Sequence, residues 1–557
     1  KTRSQLILKD KWPTYIKGYS MNKKILLGAA ISLASLQVTA QPFAPTDARG
    51  MAMGGTGVAS SKTVHSVQYN PSLLSGGHES DDFGLLLPQL GGYVADEDEF
   101  IDSADDFADA DYAEKFNIAI KGVESSPGVF NGGIEEPLNN IKAALQAVND
   151  ASAAENLAQL NIATGVLNGH VGDLTTGTNT LTIATADLNG GLASISEKAL
   201  RGGVGGGAGI AIPSKKFSVA ISANNSTSFS GKLSVSQSDM DLLTDYTSAT
   251  NAYALTLADY TSATTDLTAA LTQIKVRQDA SEAPTQAELD AVTNAQNSVS
   301  TANTALVGFD YNGTAGNAIF VGGALAPGAD DIALSSTVSL IAIAISEVAI
   351  SISREFTIAD RQVAIGITPK LQRVDAYNYI VSVEDDTDTD NISDYAVEDT
   401  GFNLDIGAST KFGYEDRGTA GLVIKNIISR DVQTTDNNPL TTNDAVVSIS
   451  PQVRAGVSYA AWGWLHLAAD LDLMENDPVA FEDGTQFAAF GAEADVLSFL
   501  QVRTGFRTNL AASDQEVVSF GLGISPFSLF HMDLGLYANV SDPKKEAGAV
   551  FELGIDW

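Results

Sequence analysis

The last third of the chain changes character at every second residue. Between Asn403 and Phe412, Leu404, Ile406, Ala408 and Phe412 oppose Asn403, Asp405, Ser409 and Lys411. The leucines at 465, 467, 471 and 473 oppose His466, Asp470 and Asp472. Val502, Phe506 and Leu510 oppose Gln501, Arg503, Arg507 and Asn509, and Leu534, Leu536 and Val540 oppose Asp533, Gly535, Tyr537 and Asn539. The segment from Phe551 alternates to the final Trp557. A period of two belongs to extended strands with one apolar and one polar face. Two architectures use such strands. A sandwich turns the polar face to bulk water. A transmembrane barrel turns the apolar face to lipid and the polar face to its lumen, on strands of about ten residues.

Connection lengths favour the barrel. Fourteen strands are expected near 82–94, 202–212, 215–237, 336–354, 361–383, 402–414, 418–432, 444–460, 462–475, 486–497, 499–511, 515–525, 529–540 and 546–557. Every second connection is short: 213–214, 355–360, 415–417, Ala461, Ser498 and 526–528. The others are longer, among them 95–201, 238–335, 384–401, 433–443 and 476–485. Short turns on one side, long loops on the other and an even strand count form the pattern of bacterial outer-membrane barrels. The reading is an all-β transmembrane antiparallel barrel over 82–557. Phe412, Tyr414, Tyr459, Trp462, Trp464, Phe499, Phe527, Phe530 and Trp557 gather beside the short turns or at the C-terminus. They would form an aromatic girdle at one membrane interface.

The N-terminus agrees with export. Met21-Asn22-Lys23-Lys24 precedes an apolar run from Ile25 to Leu36, and Val38-Thr39-Ala40 supplies small residues for cleavage before Gln41. Residues 21–40 therefore read as a cleavable signal peptide, cut after Ala40. Residues 1–20 fit nothing and read as an upstream extension that is not native. After Ala40 no run reaches the roughly twenty apolar residues of a membrane helix. The expected location is the outer membrane of a Gram-negative bacterium.

Acidic residues outnumber basic ones 68 to 32, for a net charge of −36. Such a surface repels nucleic acid, whose affinity comes from Lys and Arg. The chain has no cysteine, which excludes disulfides, thiol catalysis and Cys-ligated zinc. The long connections 95–201 and 238–335 differ from the strands. The first opens with Asp96, Glu97, Asp98, Glu99, Asp102, Asp105 and Asp106. Both then place apolar residues at helical spacing, as in Ile141, Leu145 and Val148, or Leu267, Leu271 and Ile274. They read as helical insertions packed on each other on the outer side.

Signals for enzyme chemistry are weak. The five histidines (His65, His78, His170, His466 and His531) have no metal-ligand spacing in sequence, so no metal, cofactor or catalytic residue is assigned. The glycines from 202 to 207 open no helix and precede no Lys-Ser/Thr, so they read as strand glycines permitting bending or close approach to a plug. The alternate aspartates 386, 388 and 390 lack the glycine and distal Glu of a calcium loop. Asp405, Lys411, His466, Asp470, Asp472, Arg503, Arg507 and Asp533 are the candidate lumen-lining residues. They read either as a selectivity lining or plug-contact network, or as the hydration of a polar interior.

The segment 41–81 is the most specific. Asp47-Ala-Arg-Gly-Met-Ala-Met-Gly-Gly-Thr-Gly precedes Val67-Gln-Tyr-Asn-Pro-Ser-Leu-Leu74 and, further on, Asp81-Asp-Phe-Gly-Leu-Leu-Leu-Pro88. This order resembles the outer-membrane family labelled conjugal transfer TraF-like, within the long-chain fatty acid transporter (FadL-like) barrel superfamily. The resemblance implies an N-terminal hatch inside the barrel. It carries the hatch motif onto Arg49, Gly50, Met53, Gly54, Gly55, Asn70 and Pro71, with Ser72 departing from an Asn-Pro-Ala-like pattern. Phe551 and Trp557 resemble the assembly signal of bacterial outer-membrane proteins, implying the barrel assembly machinery and outer-membrane lipid as partners. A plugged channel for passive uptake of small or hydrophobic solutes is the leading expectation. The alternative is a structural barrel of a secretion or conjugation apparatus that docks envelope proteins through its helical insertions.

Overall fold

A computed structural model describes residues 47–76, 83–126, 129–326, 334–358, 360–383, 396–434, 446–476, 481, 483–526 and 529–556. The signal and extension assigned to 1–40, the tryptophan at 557 and the aspartates at 386, 388 and 390 lie outside them.

Fourteen antiparallel strands close into one barrel. In chain order they are β1 (Gly84–Ala95), β2 (Ala199–Ile212), β3 (Ser218–Ser234), β4 (Thr337–Ile358), β5 (Arg361–Ser382), β6 (Ala396–Phe412) and β7 (Gly418–Lys425). They continue as β8 (Gln452–Trp462), β9 (Leu465–Asp472), β10 (Phe487–Leu497), β11 (Leu500–Asn509), β12 (Val517–Ile524), β13 (Phe530–Asn539) and β14 (Glu546–Asp556). Each strand pairs with its neighbours in sequence, and β1 closes on β14.

The alternation sorts residues as the sequence requires. On β12 Val518, Phe520, Leu522 and Ile524 face outward, and Ser519 is buried inside. On β13 Met532, Leu534 and Leu536 face out, while His531 and Asp533 are buried. An apolar outer wall around a closed, edge-free sheet is the arrangement that crosses lipid. Among the described residues no helix is long and apolar enough to cross a membrane. Tyr414, Trp462, Trp464 and Phe499 are exposed beside the short turns, with the two tryptophan rings stacked 5.9 Å apart.

Three short helices lie in the lumen: α1 (Ala48–Ala52), α2 (Ser66–Tyr69) and α3 (Leu73–Gly76). The insertion between β1 and β2 holds α4 (Phe100–Asp109), α5 (Tyr112–Lys121), α6 (Glu135–Ala153) and the 39-residue α7 (Leu157–Ile195). That between β3 and β4 holds the 43-residue α8 (Gln237–Asp279) and α9 (Gln286–Val307). Leu167, Leu174 and Leu181 of α7 share one buried core with Leu257 and Leu267 of α8, so the insertions form one body.

One expectation fails at the long-loop side. The segments 418–432 and 444–460 do not continue as full-length barrel strands. Asn426 takes a positive φ of 53° just after β7, and Pro451 interrupts the ladder before β8. Between these breaks Arg430–Gln433 and Val446–Ile449 pair as a separate hairpin. Its Val432, Val447 and Ile449 cover Ile343, Val374 and Ala376 of β4 and β5. Burying that apolar patch favours the fold-over.

Candidate functional site: the hatch and its seat

The lumen segment 47–76 is held by backbone geometry first. Asp47 caps α1, its Oδ1 accepting from the Arg49 amide at 3.0 Å and its Oδ2 from the Gly50 amide at 2.8 Å. Gly54 and Gly55 follow with φ of 75° and 87°, a turn that a residue with a side chain adopts only under strain. The turn redirects the chain along the wall. Helix α1 packs on β11 to β14, and α3 packs on β3 to β6, so the segment spans the lumen.

The wall is cut to receive it. Gly366, Gly407, Gly421, Gly456, Gly491, Gly505, Gly521 and Gly535 come from β5, β6, β7, β8, β10, β11, β12 and β13. A methyl group on any of these eight would come within 3.0 Å of a hatch atom. Gly535 faces the Ala48 carbonyl, Gly521 Ala52, Gly491 Met53, Gly505 Gly54, Gly421 Val58 and Gly366 Pro71. On β9, the one strand between β5 and β13 without such a glycine, Asp470 stands instead, and its Oδ2 accepts from the Gly57 and Val58 amides at 2.7 and 2.9 Å. The glycines let two backbones approach closely, and the polar residues beside them satisfy the amides that this approach buries.

Charged residues fix the register. Arg49 donates from Nε and Nη2 to the two carboxylate oxygens of Glu493, each at 2.8 Å. Glu493 also accepts from Arg503 Nε at 2.6 Å, and Arg503 Nη1 bonds Asp533. His65 approaches Glu552 to 2.7 Å, and the Ala48 amide donates to Glu552 at 3.3 Å. At the other end Asn70 donates to the carbonyls of Val58 and Ala408, at 2.9 and 3.3 Å. Ser72 gives its hydroxyl to Asn70 Oδ1 or Ser409 Oγ, at 2.8 and 2.9 Å, so the departure from the Asn-Pro-Ala-like pattern adds a contact to the wall. Tyr69 is fully buried, its ring lying against Gly50 and Gly57.

A second cluster lies towards β4 to β7. Lys370 pairs with Glu347 at 3.0 Å and Asp405 at 3.1 Å, and Lys425 donates to the Gln68 carbonyl at 2.9 Å.

The residues singled out in the sequence are thus divided. Arg49, Gly50, Met53, Gly54, Gly55, Asn70 and Pro71 all lie in the seat, with Asp470, Arg503 and Asp533 facing them. Asp405 belongs to the second cluster. Asp472 pairs with Arg454, and Arg507 with Glu546 at 2.6 Å, both within the wall. Half-exposed His466 lies 3.8 Å from Asp495, and Lys411 is partly exposed near the short turns; neither reaches the hatch. Phe551 faces outward. The glycines at 202, 203, 206 and 207 meet Phe229, Tyr93, Asn224 and residues of β1, not the hatch. Sequence reasoning missed Glu493, Glu552, His65, His531 and the eight-glycine seat. A glycine within each of eight alternating strands was the available signal.

Residues 67–472 match the family described as "F plasmid transfer operon, TraF, protein". The chain belongs to this family. The match begins inside the hatch and runs through β9, so this TraF-family signature includes the Asn70-Pro71 seat and Asp470. No curated protein matches the chain. Among solved structures it is similar to the Ralstonia pickettii toluene transporter TbuX, with 9% identity, a TM-score of 0.40, and coverage of 94% of this chain and 100% of that one. It is also similar to the Pseudomonas putida toluene transporter TodX, with 8% identity, a TM-score of 0.37, and coverage of 93% and 98%.

Proposed function

We propose that this TraF-family protein is an outer-membrane channel, closed by its N-terminal hatch, for passive uptake of small or hydrophobic solutes. The observation that carries the reading is the seat. The hatch enters a glycine-lined track and is tied to the wall by side chains, its apolar contacts with the strands divided among three small separate clusters. Contacts of that kind can release and re-form without unfolding a core. The role is transport, not catalysis. Residues 41–81 would be the hatch domain and the charged lumen residues its latch. Export would use cleavage after Ala40, and assembly would use Phe551 and the terminal tryptophan as a signal to the barrel assembly machinery. Reconstituted in liposomes, the protein is expected to pass small solutes faster when residues 41–75 are deleted. Equal and negligible flux with and without the hatch would overturn the reading.

One observation favours a second role alongside the first. The insertions bury a core of their own, yet Ile162, Val166, Ile183, Leu255, Val276 and Leu289 remain exposed on their helices. Exposed apolar residues on a body larger than a pore needs suit docking of an envelope partner. Crosslinked envelopes should yield a partner that is lost when 238–335 is removed.

A further inference from the structure

Where the hatch meets β13 and β14, metal-competent side chains form two groups that share Glu552, one with Asp47 and His65 and one with His531 and Asp533. Asp47 and His65 come from the hatch, and His531 and Glu552 from the facing strands. All four are at least nine-tenths buried. His65 Nε2 lies 2.7 Å from Glu552 Oε1 and 3.8 Å from Asp47 Oδ1, and His531 Nε2 lies 3.5 Å from the same Glu552 oxygen.

The charges around them are unevenly served. Asp533 and Glu552 stand directly opposite each other on β13 and β14, both buried, and like charges so placed repel. Asp533 is answered by Arg503. Both guanidiniums of the region are in direct contact with Glu493, Arg49 through two bonds. Asp47 and Glu552 are left with imidazoles as their nearest ionic partners. A divalent cation there would offset two buried carboxylates at once.

The groups are also oriented. The Asp47 carboxylate is fixed by the Arg49 and Gly50 amides, and Glu552 Oε2 accepts from the Ala48 amide. His531 lies flat over Gly554, its cross-strand partner, where any side chain would collide with the ring. Such outer contacts aim metal ligands. One imidazole nitrogen and two carboxylate oxygens, without sulfur and with a fourth position open, suit a tetrahedral first-row ion such as Zn²⁺. Arms of about 2.1 Å give ligand–ligand edges of about 3.4 Å. The 3.8 Å separation of His65 and Asp47 already lies near that value, the 2.7 Å contact of His65 and Glu552 needs to open by only about 0.7 Å, and all three ligand atoms lie within 4.8 Å of one another.

We propose that Asp47, His65 and Glu552 form a site for one divalent transition-metal ion, with Zn²⁺ the best match, that pins the hatch to β14, and that His531 positions Glu552 from β13. The ligands span the whole chain from position 47 to 552, so no local spacing announces them. The site is independent of whether the barrel conducts.

The test uses the full chain in detergent, stripped with a chelator and titrated with Zn²⁺ by calorimetry, with bound metal counted by elemental analysis. One ion per chain is expected. His531→Ala, which removes the ring beside Glu552, should weaken binding by roughly 10–100-fold, as loss of an outer-shell partner does, and His65→Ala by more than that. Glu552→Gln, which keeps the shape and loses the charge, should do the same. His466→Ala, on the half-exposed histidine beside Asp495, should bind as the unaltered chain does. Co²⁺ in the same site should give the visible absorption of tetrahedral coordination. Failure of the unaltered chain to retain an ion, or unchanged binding in both histidine variants with native heat-modifiable mobility, would overturn the proposal.

Discussion

Arg49 and Glu493, 444 positions apart, meet in a two-bond pair inside the lumen, each bond 2.8 Å long. This contact ties the hatch to β10 in a setting with little water. Removing Arg49 leaves Glu493 buried but still paired with Arg503, so the loss is smaller than the roughly 3–5 kcal/mol of a wholly unpaired charge, yet it falls on the contact that ties the hatch to the wall. Arg49→Ala is therefore expected to release the hatch while the barrel stays closed. Because the chain has no cysteine, a single reporter is clean. A cysteine replacing Ser61, which is 4% exposed, should react with a maleimide slowly in the parent and at least tenfold faster with Arg49→Ala. Arg49→Lys keeps the charge and loses the planar fork, and should fall between them. Equal labelling in all three would show that the pair does not hold the hatch.

The glycine seat makes a separate prediction. Gly505 packs against the Gly54 amide and Met53, and Gly491 against Met53, with backbone on both sides. Alanine at either site inserts a methyl where neither chain can step aside. Overpacking of this kind costs about 1–3 kcal/mol. Gly505→Ala and Gly491→Ala should increase Ser61 labelling and solute flux without changing heat-modifiable mobility. Gly463→Ala, in the short turn between β8 and β9 where an added methyl meets nothing, should change none of these. A flux increase with Gly463→Ala as large as that with Gly505→Ala would remove the seat from the explanation.

The strands were legible because their physics is local. Alternation in 517–524 and 530–539 needs only lipid on one side and lumen on the other. The failure at 418–432 and 444–460 has a tertiary cause: the apolar patch of Ile343, Val374 and Ala376 is made by strands far away, and only their closure shows that Val432 and Val447 can cover it. The site divides in the same way. Arg49, Asn70 and Pro71 stand in a motif and could be named. Glu493 and Glu552 are single carboxylates on alternating strands, indistinguishable in sequence from Asp472, which pairs with Arg454 of the neighbouring strand. What separates them is the register of β10 and β14 against the lumen segment, a long-range fact.

Ser72 offers a finer test of the motif. Its hydroxyl joins Asn70 to Ser409, but Asn70 carries more, with bonds to the carbonyls of Val58 and Ala408. Ser72→Ala should cost about 1 kcal/mol and leave the hatch seated, because Asn70 retains its backbone partners. Asn70→Ala removes the donor to the buried Val58 carbonyl as well as the contact with Ala408, and should cost about 1–3 kcal/mol for the buried carbonyl left unsatisfied. Trypsin cleavage at Lys62 reads the difference: near-parental resistance for Ser72→Ala, clear loss for Asn70→Ala. Matching sensitivities would mean that the serine hydroxyl, rather than the asparagine amide, is the main tie.

Helix α9 carries the clearest pH dependence outside the barrel. Thr285 caps it, and Glu288 bonds back to the Thr285 amide at 2.7 Å while accepting from Arg277 Nε at 2.7 Å. The bond from Arg277, and then those from Thr285, hold the Glu288 carboxyl down at about 2. A carboxyl lowered by folding adds stability that is complete above its unfolded value near 4.3 and is lost as pH falls towards 2. Amide exchange in 286–307, corrected for its intrinsic pH dependence, should show constant protection from pH 7 to 5 and declining protection from about 4.3 downward. Thr285→Ala should lower protection at neutral pH by about 1 kcal/mol, the usual cost of a lost N-cap. Glu288→Gln should flatten the acid limb, because no proton is then taken up at that position. An acid limb that persists unchanged in Glu288→Gln would assign it to other carboxylates of the insertion.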